Sequence, residues 1–138
     1  MSALERSFVE PEGVAPPAGK YSHAVRVRGG EMLFIAGQIA TDVDGNLAGA
    51  GDAAAQTRQI FANIDNVLKG AGGSFADVVE FTYYLAGRAT VQPFLEARSE
   101  VFDEVFPTGK YPTATLLVVD GLVREDLLLE ISALAVLP

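Results

Sequence analysis

Glu130 is the residue whose surroundings fit it least. It stands in the run Leu127, Leu128, Leu129, Glu130, Ile131, with Ala133 and Leu134 just beyond. A carboxylate buried there without a partner is costly, so it must be paired, protonated or turned toward a polar cavity. One reading is an ion pair with an Arg or Lys at a subunit interface. The other is a cleft carboxylate that positions water or moves a proton. The residues of this segment leave both open.

His23 is the single histidine and the only side chain with an ordinary pKa near neutrality. It alternates with Tyr21, Val25 and Val27, where a hydrogen-bonded structural role is the commoner one. A Ser–His–Asp relay would have to use it, and no nucleophile-elbow sequence accompanies it. With no Cys, the chain has no disulfide, thiolate nucleophile or thiolate metal site. Asp42-Val43-Asp44-Gly45-Asn46 looks like the start of a calcium loop. Leu47 and Ala53 occupy the places that need Gly and Glu, so it reads as a polar turn. Gly70, Gly72 and Gly73 close a helix rather than open one, which makes them a stop signal and not a phosphate cradle. Gln56 and Asn63, seven apart on that helix, share a face from which they can hydrogen-bond a loop.

The elements that must carry these residues are legible from pattern. The chain has 138 residues, of which 49% are hydrophobic and 20% charged, enough for one self-sufficient globular domain. Residues 1–15 read as an extended lead, and Pro and Gly continue it to Lys20. Tyr21–Arg28 alternates as a strand, Gly29-Gly30 is a two-residue turn, and Glu31–Gln38 is its expected hairpin partner. Asp52 caps a helix reaching Lys69, with Ile60, Phe61, Ile64, Val67 and Leu68 as its apolar stripe. Val79–Leu85 is a strand. Thr90 caps a second helix, with Phe94, Leu95, Val101, Phe102, Val105 and Phe106 on one side. Thr113–Val119 and Leu127–Val136 are the last strands. The order ββαβαββ is that of an α+β sandwich, two helices on one sheet. The final strand is apolar on both sides, and two helices cover only one face, so a second copy of the chain is expected on the other.

Ten Lys and Arg stand against eighteen Asp and Glu, a net charge of −8. That balance argues against a nucleic-acid partner, whose affinity comes largely from basic residues. No apolar run approaches a membrane span and no leader is visible, so a cytoplasmic address is expected.

Tyr21-Ser22-His23-Ala24-Val25 and Phe34-Ile35-Ala36-Gly37-Gln38-Ile39 resemble two elements of the Rid (YjgF) family. Gln56-Thr57-Arg58 with Asn63, Asp77-Val78-Val79 with Thr82, Tyr111-Pro112, and Glu130-Ile131 with Ala133 and Ala135-Val136 come in that family's order and spacing. The resemblance spans about residues 16 to 137. It implies a chorismate-mutase-like fold with a mixed sheet, and a homotrimer whose sheets meet in a central barrel with clefts between subunits. It also implies cofactor-free, metal-free hydrolysis of reactive enamines or imines, such as 2-aminoacrylate. An Arg would clamp the substrate carboxylate and a cleft Glu would position water. Glu130 is then the catalytic candidate, and Tyr21, Gly37, Gln38, Ser99, Ala114 and Leu116 are the ligand-binding candidates.

Departures from the family pattern qualify that expectation. Ala114 stands where the deaminating branch has its Arg, Ser99 where it has an Asn, and Leu116 where some members have Cys. His23 replaces Gln, and Ala36 replaces Ser. Ala114 offers neither charge nor donor, so a 2-iminoacid would lose a bidentate anchor. Arg88, Arg98 and Arg124 are candidates to replace it, with positions that sequence does not give. The leading expectation is an enamine or imine deaminase acting on a substrate other than 2-aminoacrylate. A non-catalytic trimer binding a small metabolite and an aminomuconate-type deaminase are the alternatives.

Overall fold

The computed structural model describes residues 3–138. Along the chain lie β1 (Glu5–Val9), β2 (Ala24–Arg28), β3 (Glu31–Gln38), α1 (Ala53–Gly70), β4 (Val78–Ala86), α2 (Val91–Val105), β5 (Thr113–Val119) and β6 (Leu129–Leu137). Four strands form a mixed sheet in the order β3-β6-β4-β5. Only β4 and β5 run parallel, because α2 carries the chain back between them. The α+β class, with both helices packed on one side of a mixed sheet, is as expected. No described helix is long and apolar enough to cross a membrane.

The helices form where their apolar periods dictate. The Asp52 carboxylate accepts the Ala55 N–H at 3.0 Å and starts α1. Ile60, Phe61, Ile64 and Leu68 are buried, while Val67 turns outward at the edge of the stripe. Phe61 packs edge-on against Phe81 of β4 and Phe102 of α2, at 5.7 and 5.8 Å between centroids. α2 starts differently from its expected cap. A short 3-10 turn, Arg88–Thr90, leads into it, and the Thr90 hydroxyl donates back to the Ala86 carbonyl instead of accepting from the helix.

The largest departure concerns the expected hairpin. Gly29 and Gly30 do take left-handed φ values of 73° and 77°, yet the strands they join do not pair. β2 pairs antiparallel with β1, an element the sequence pattern does not announce. β3 pairs with β6, from Glu31 opposite Leu137 to Ile35 opposite Ala133. Turn chemistry reverses the chain, but the partner of each strand is set by longer-range apolar matching. Gly30 sits so close to the Leu137 carbonyl that a Cβ would collide with it. The Arg6 guanidinium fastens the β1–β2 ribbon by donating to the Ala76 and Val136 carbonyls, at 2.8 and 3.0 Å. β2 also begins at Ala24, so Tyr21, Ser22 and His23 lie in the loop before it rather than within a strand.

The core lies between the helices and one sheet face, where Leu129, Ile131, Ala133 and Ala135 of β6 are buried. The opposite face carries Glu130, Ser132 and Leu134 of β6, with Met32 and Phe34 of β3. Phe34 is 74% exposed and Met32 58%. Apolar side chains of this size in one contiguous, uncovered patch mark a surface built for contact.

Candidate functional site

Two clusters hold most of the expected site residues, and the sheet separates them. The first lies on the uncovered face. Glu130 stands opposite Tyr84 in the β6–β4 register. Its carboxylate lies directly over Gly37, where any Cβ would meet Glu130 Oε2, Cδ and Cγ. The absence of a side chain at Gly37 is thus what seats the carboxylate. A break in register between Ile35 and Gln38 places the glycine there. Gln38 donates from Nε2 to the Ala36 carbonyl at 3.2 Å, bracing the same bulge. Glu130 takes no part in the four ion pairs among the described residues.

The second cluster lies at the β5 edge, on the helix side. In the β4–β5 register Ala114 is opposite Phe81 and Leu116 opposite Tyr83, so both project toward α2. With Tyr21, Gly19, Leu95 and Arg98 they line a cavity of about 330 Å³. Ser99 is not among its lining residues. Ser99 contributes its carbonyl to Lys20 Nζ at 3.1 Å, and the same lysine pairs with Asp103. Tyr21 also borders a wider, open cleft with His23, Glu80, Ala114 and Thr115.

Arg98 is the residue whose place sequence could not give. It is 7% exposed, and no carboxylate among the described residues pairs with it. Its Cζ lies 5.6 Å from the Tyr83 ring centroid, 5.7 Å from Phe94 and 5.5 Å from Phe102. Three aromatic rings thus surround one cation, each a modest electrostatic attraction. Arg98 Nε and the Tyr83 hydroxyl are buried, and neither meets a hydrogen-bond partner within normal geometry among the described residues. Burial pushes the Tyr83 hydroxyl well above the ordinary tyrosine range, and the neighbouring Arg98 charge offsets only part of that. A signal was present in the sequence. Arg98 is four residues from both Phe94 and Phe102, which puts a charge on the buried stripe of α2.

The remaining motifs are structural. His23 Nε2 donates to the Ala15 carbonyl at 2.7 Å and its ring meets Tyr21 edge-on at 6.0 Å, fastening the lead segment. Asp42 Oδ1 accepts from the Asp44 and Asn46 N–H groups, which makes the calcium-like stretch a turn. Asn63 Nδ2 donates to the Ile39 and Thr41 carbonyls. Gln56 donates to the Gly49 and Asp126 carbonyls and accepts the Leu128 N–H, so it holds the segment leading into Glu130.

Comparison with known proteins bears on the fold and the family. Residues 12–137 match the family model described as Endoribonuclease L-PSP. The 3-aminoacrylate deaminase RutC of Acinetobacter baylyi is 32% identical over 132 residues, 96% of this chain and 98% of that protein. A RutC family protein of Pyrococcus horikoshii is 36% identical over 94% of this chain and 97% of its own length. Among solved structures, the Rid-family protein YyfB of Yersinia pestis superposes with a TM-score of 0.85 at 34% identity, covering 96% of this chain and 98% of its own. Escherichia coli TdcF with bound serine superposes with a TM-score of 0.70 at 27% identity, over 96% of this chain and 99% of its own.

Proposed function

This chain belongs to the Rid (YjgF) family, and on that premise we propose that it hydrolyses an enamine or imine in a cleft between subunits of a homotrimer. The observation that carries the reading is the Glu130 carboxylate, seated on Gly37 on the uncovered sheet face without a basic partner among the described residues. A carboxylate so placed accepts a proton from water. In the proposed step the water oxygen bonds to the imine carbon, and the C=N electron pair takes a proton at nitrogen. Glu130 relays the proton. The hydroxyl proton of the tetrahedral adduct then passes to the nitrogen, the C–N bond breaks as the C=O bond forms, and a carbonyl compound and ammonia leave. No redox partner or covalent enzyme intermediate enters this balance.

A relative named for deaminating 3-aminoacrylate and a structural neighbour holding serine support a small amino- or imino-acid-like ligand. The exposed Phe34 and Met32 support the trimer. Its central barrel would cover them, and a second copy would bring Tyr21, Ala114 and Leu116 opposite Glu130. The test is ammonia release when 2-iminoacids are formed in situ by an amino-acid oxidase. Turnover above the protein-free rate is expected, and Glu130→Gln should lower it by about 10²–10⁴-fold, the range for losing a general base. A wild-type rate equal to the protein-free rate overturns the reading.

A further inference from the structure

We propose that Asp120, followed by Gly121, is a site of spontaneous isoaspartate formation, and that the fold protects the matching site at Asp44. Of the 14 glycines only Gly45 and Gly121 follow an Asp, and both Asp residues follow a Val. Val43-Asp44-Gly45 and Val119-Asp120-Gly121 therefore carry the same local chemistry. In the reaction the amide nitrogen of the glycine attacks Cγ of the protonated Asp carboxyl. The N–Cγ bond forms, the C–OH bond breaks, and the hydroxyl leaves with the amide proton as water. The product is a cyclic succinimide. Water then adds to one of its two carbonyls and opens that C–N bond. Opening at Cγ restores Asp. Opening at the main-chain carbonyl gives isoaspartate, with the backbone rerouted through Cβ and Cγ. Water is the only co-reactant, and the mass is unchanged. Glycine favours the attack because no Cβ shields its nitrogen.

The two sites differ in what holds the attacking N–H. Gly45 donates its N–H to the Asp42 carbonyl at 3.0 Å. Asp42 Oδ1 accepts from the Asp44 and Asn46 N–H groups as well, at 3.0 and 2.9 Å. Ring closure at Asp44 must first break that turn, at the cost of its hydrogen bonds. The Gly121 N–H meets no acceptor among the described residues. The Asp120 carboxylate pairs with no cation among them. Asp120 and Gly121 are both exposed. The longer backbone of the product also has room there. The Gly87 N–H fastens the start of the β5–β6 loop to the Val119 carbonyl at 3.1 Å. Gln56 fastens its end at the Asp126 carbonyl and the Leu128 N–H. Residues 121–123 lie between these anchors, with Val123 85% exposed. They can absorb one extra main-chain carbon before it disturbs Glu130.

The test holds the intact protein for days at neutral pH and counts isoaspartate at each position. Peptide mapping with electron-transfer fragmentation tells the isomers apart. In the folded protein position 120 should carry about fivefold or more the isoaspartate of position 44, the factor that one retained hydrogen bond commands. In guanidinium chloride the two yields should converge, because the local sequences match. Asp42→Ala removes the acceptor of two turn N–H groups, and should raise the yield at position 44 while leaving position 120 alone. Gly121→Ala should suppress isoaspartate at position 120 by shielding the nitrogen. Its Cβ would stand in open space and Gly121 has no left-handed φ, so the fold tolerates it. Absence of isoaspartate at position 120 overturns the proposal, and a second copy of the chain covering the loop would give that result. Equal yields at both positions in the folded protein overturn it too. None of these readouts uses turnover, so the deaminase reading stands or falls separately.

Discussion

The Glu130 cluster and the Arg98 cluster are opposite in charge and opposite in construction. Glu130 is a carboxylate on an uncovered sheet face, seated by a missing side chain at Gly37. Arg98 is a cation under the helices, seated by three rings. Each lacks its complement. Within one chain they do not complete one another, since Glu130 lies on the uncovered face of the sheet and Arg98 belongs to α2 on the other face. The contrast teaches that one chain can seat a carboxylate by leaving a side chain out and a cation by ringing it with aromatics. The proposed association of copies is what would join them.

Breaking that association should have the largest effect. Phe34→Asp places a charge in the exposed apolar patch, and should turn the proposed trimer into monomer in sedimentation and take ammonia release to the protein-free rate. Gly37→Ala sharpens the contrast, because the Cβ it adds meets the flexible Glu130 side chain at Oε2, Cδ and Cγ. The carboxylate must swing away, so turnover should fall about tenfold to a hundredfold while the melting temperature moves by the equivalent of less than about 1 kcal/mol.

Gln56→Leu tests the support of the Glu130 cluster alone. It leaves the Leu128 N–H and the Asp126 and Gly49 carbonyls without their partner, and should cost about 1–3 kcal/mol in denaturant unfolding. Turnover should fall with it. The smallest effect is alkaline. The Tyr83 hydroxyl has its pKa raised in the folded state, so its contribution to stability is complete below the ordinary tyrosine value of about 10. That contribution is lost as pH rises from there toward the folded value. Tyr83→Phe should remove this part of the alkaline loss of stability, measured as melting temperature against pH.

Locality decides which elements were legible. α1 and α2 could be read because their apolar stripes and end signals lie within a few residues of one another. β4, β5 and β6 were found to within two residues because β-branched and apolar runs mark them. β1 was not, since Glu5–Val9 has no strong alternation and owes its pairing to β2 beyond a long loop. Glu130 was conspicuous as one charge in an apolar strand. Arg98 was not, because charges on amphipathic helices usually face water. Only its spacing from Phe94 and Phe102 hinted otherwise.

The sequence by itself determined the helices, the main strands, the family and the candidacy of Glu130 and Tyr21. Each rests on residue type and short-range spacing, which the chain carries in one dimension. The tertiary structure decided that β3 joins β6 instead of β2, that Glu130 rests on Gly37, and that Arg98 shares a cavity with Ala114. These depend on contacts between residues far apart in the chain, where packing against whole surfaces, and not local preference, selects the partner.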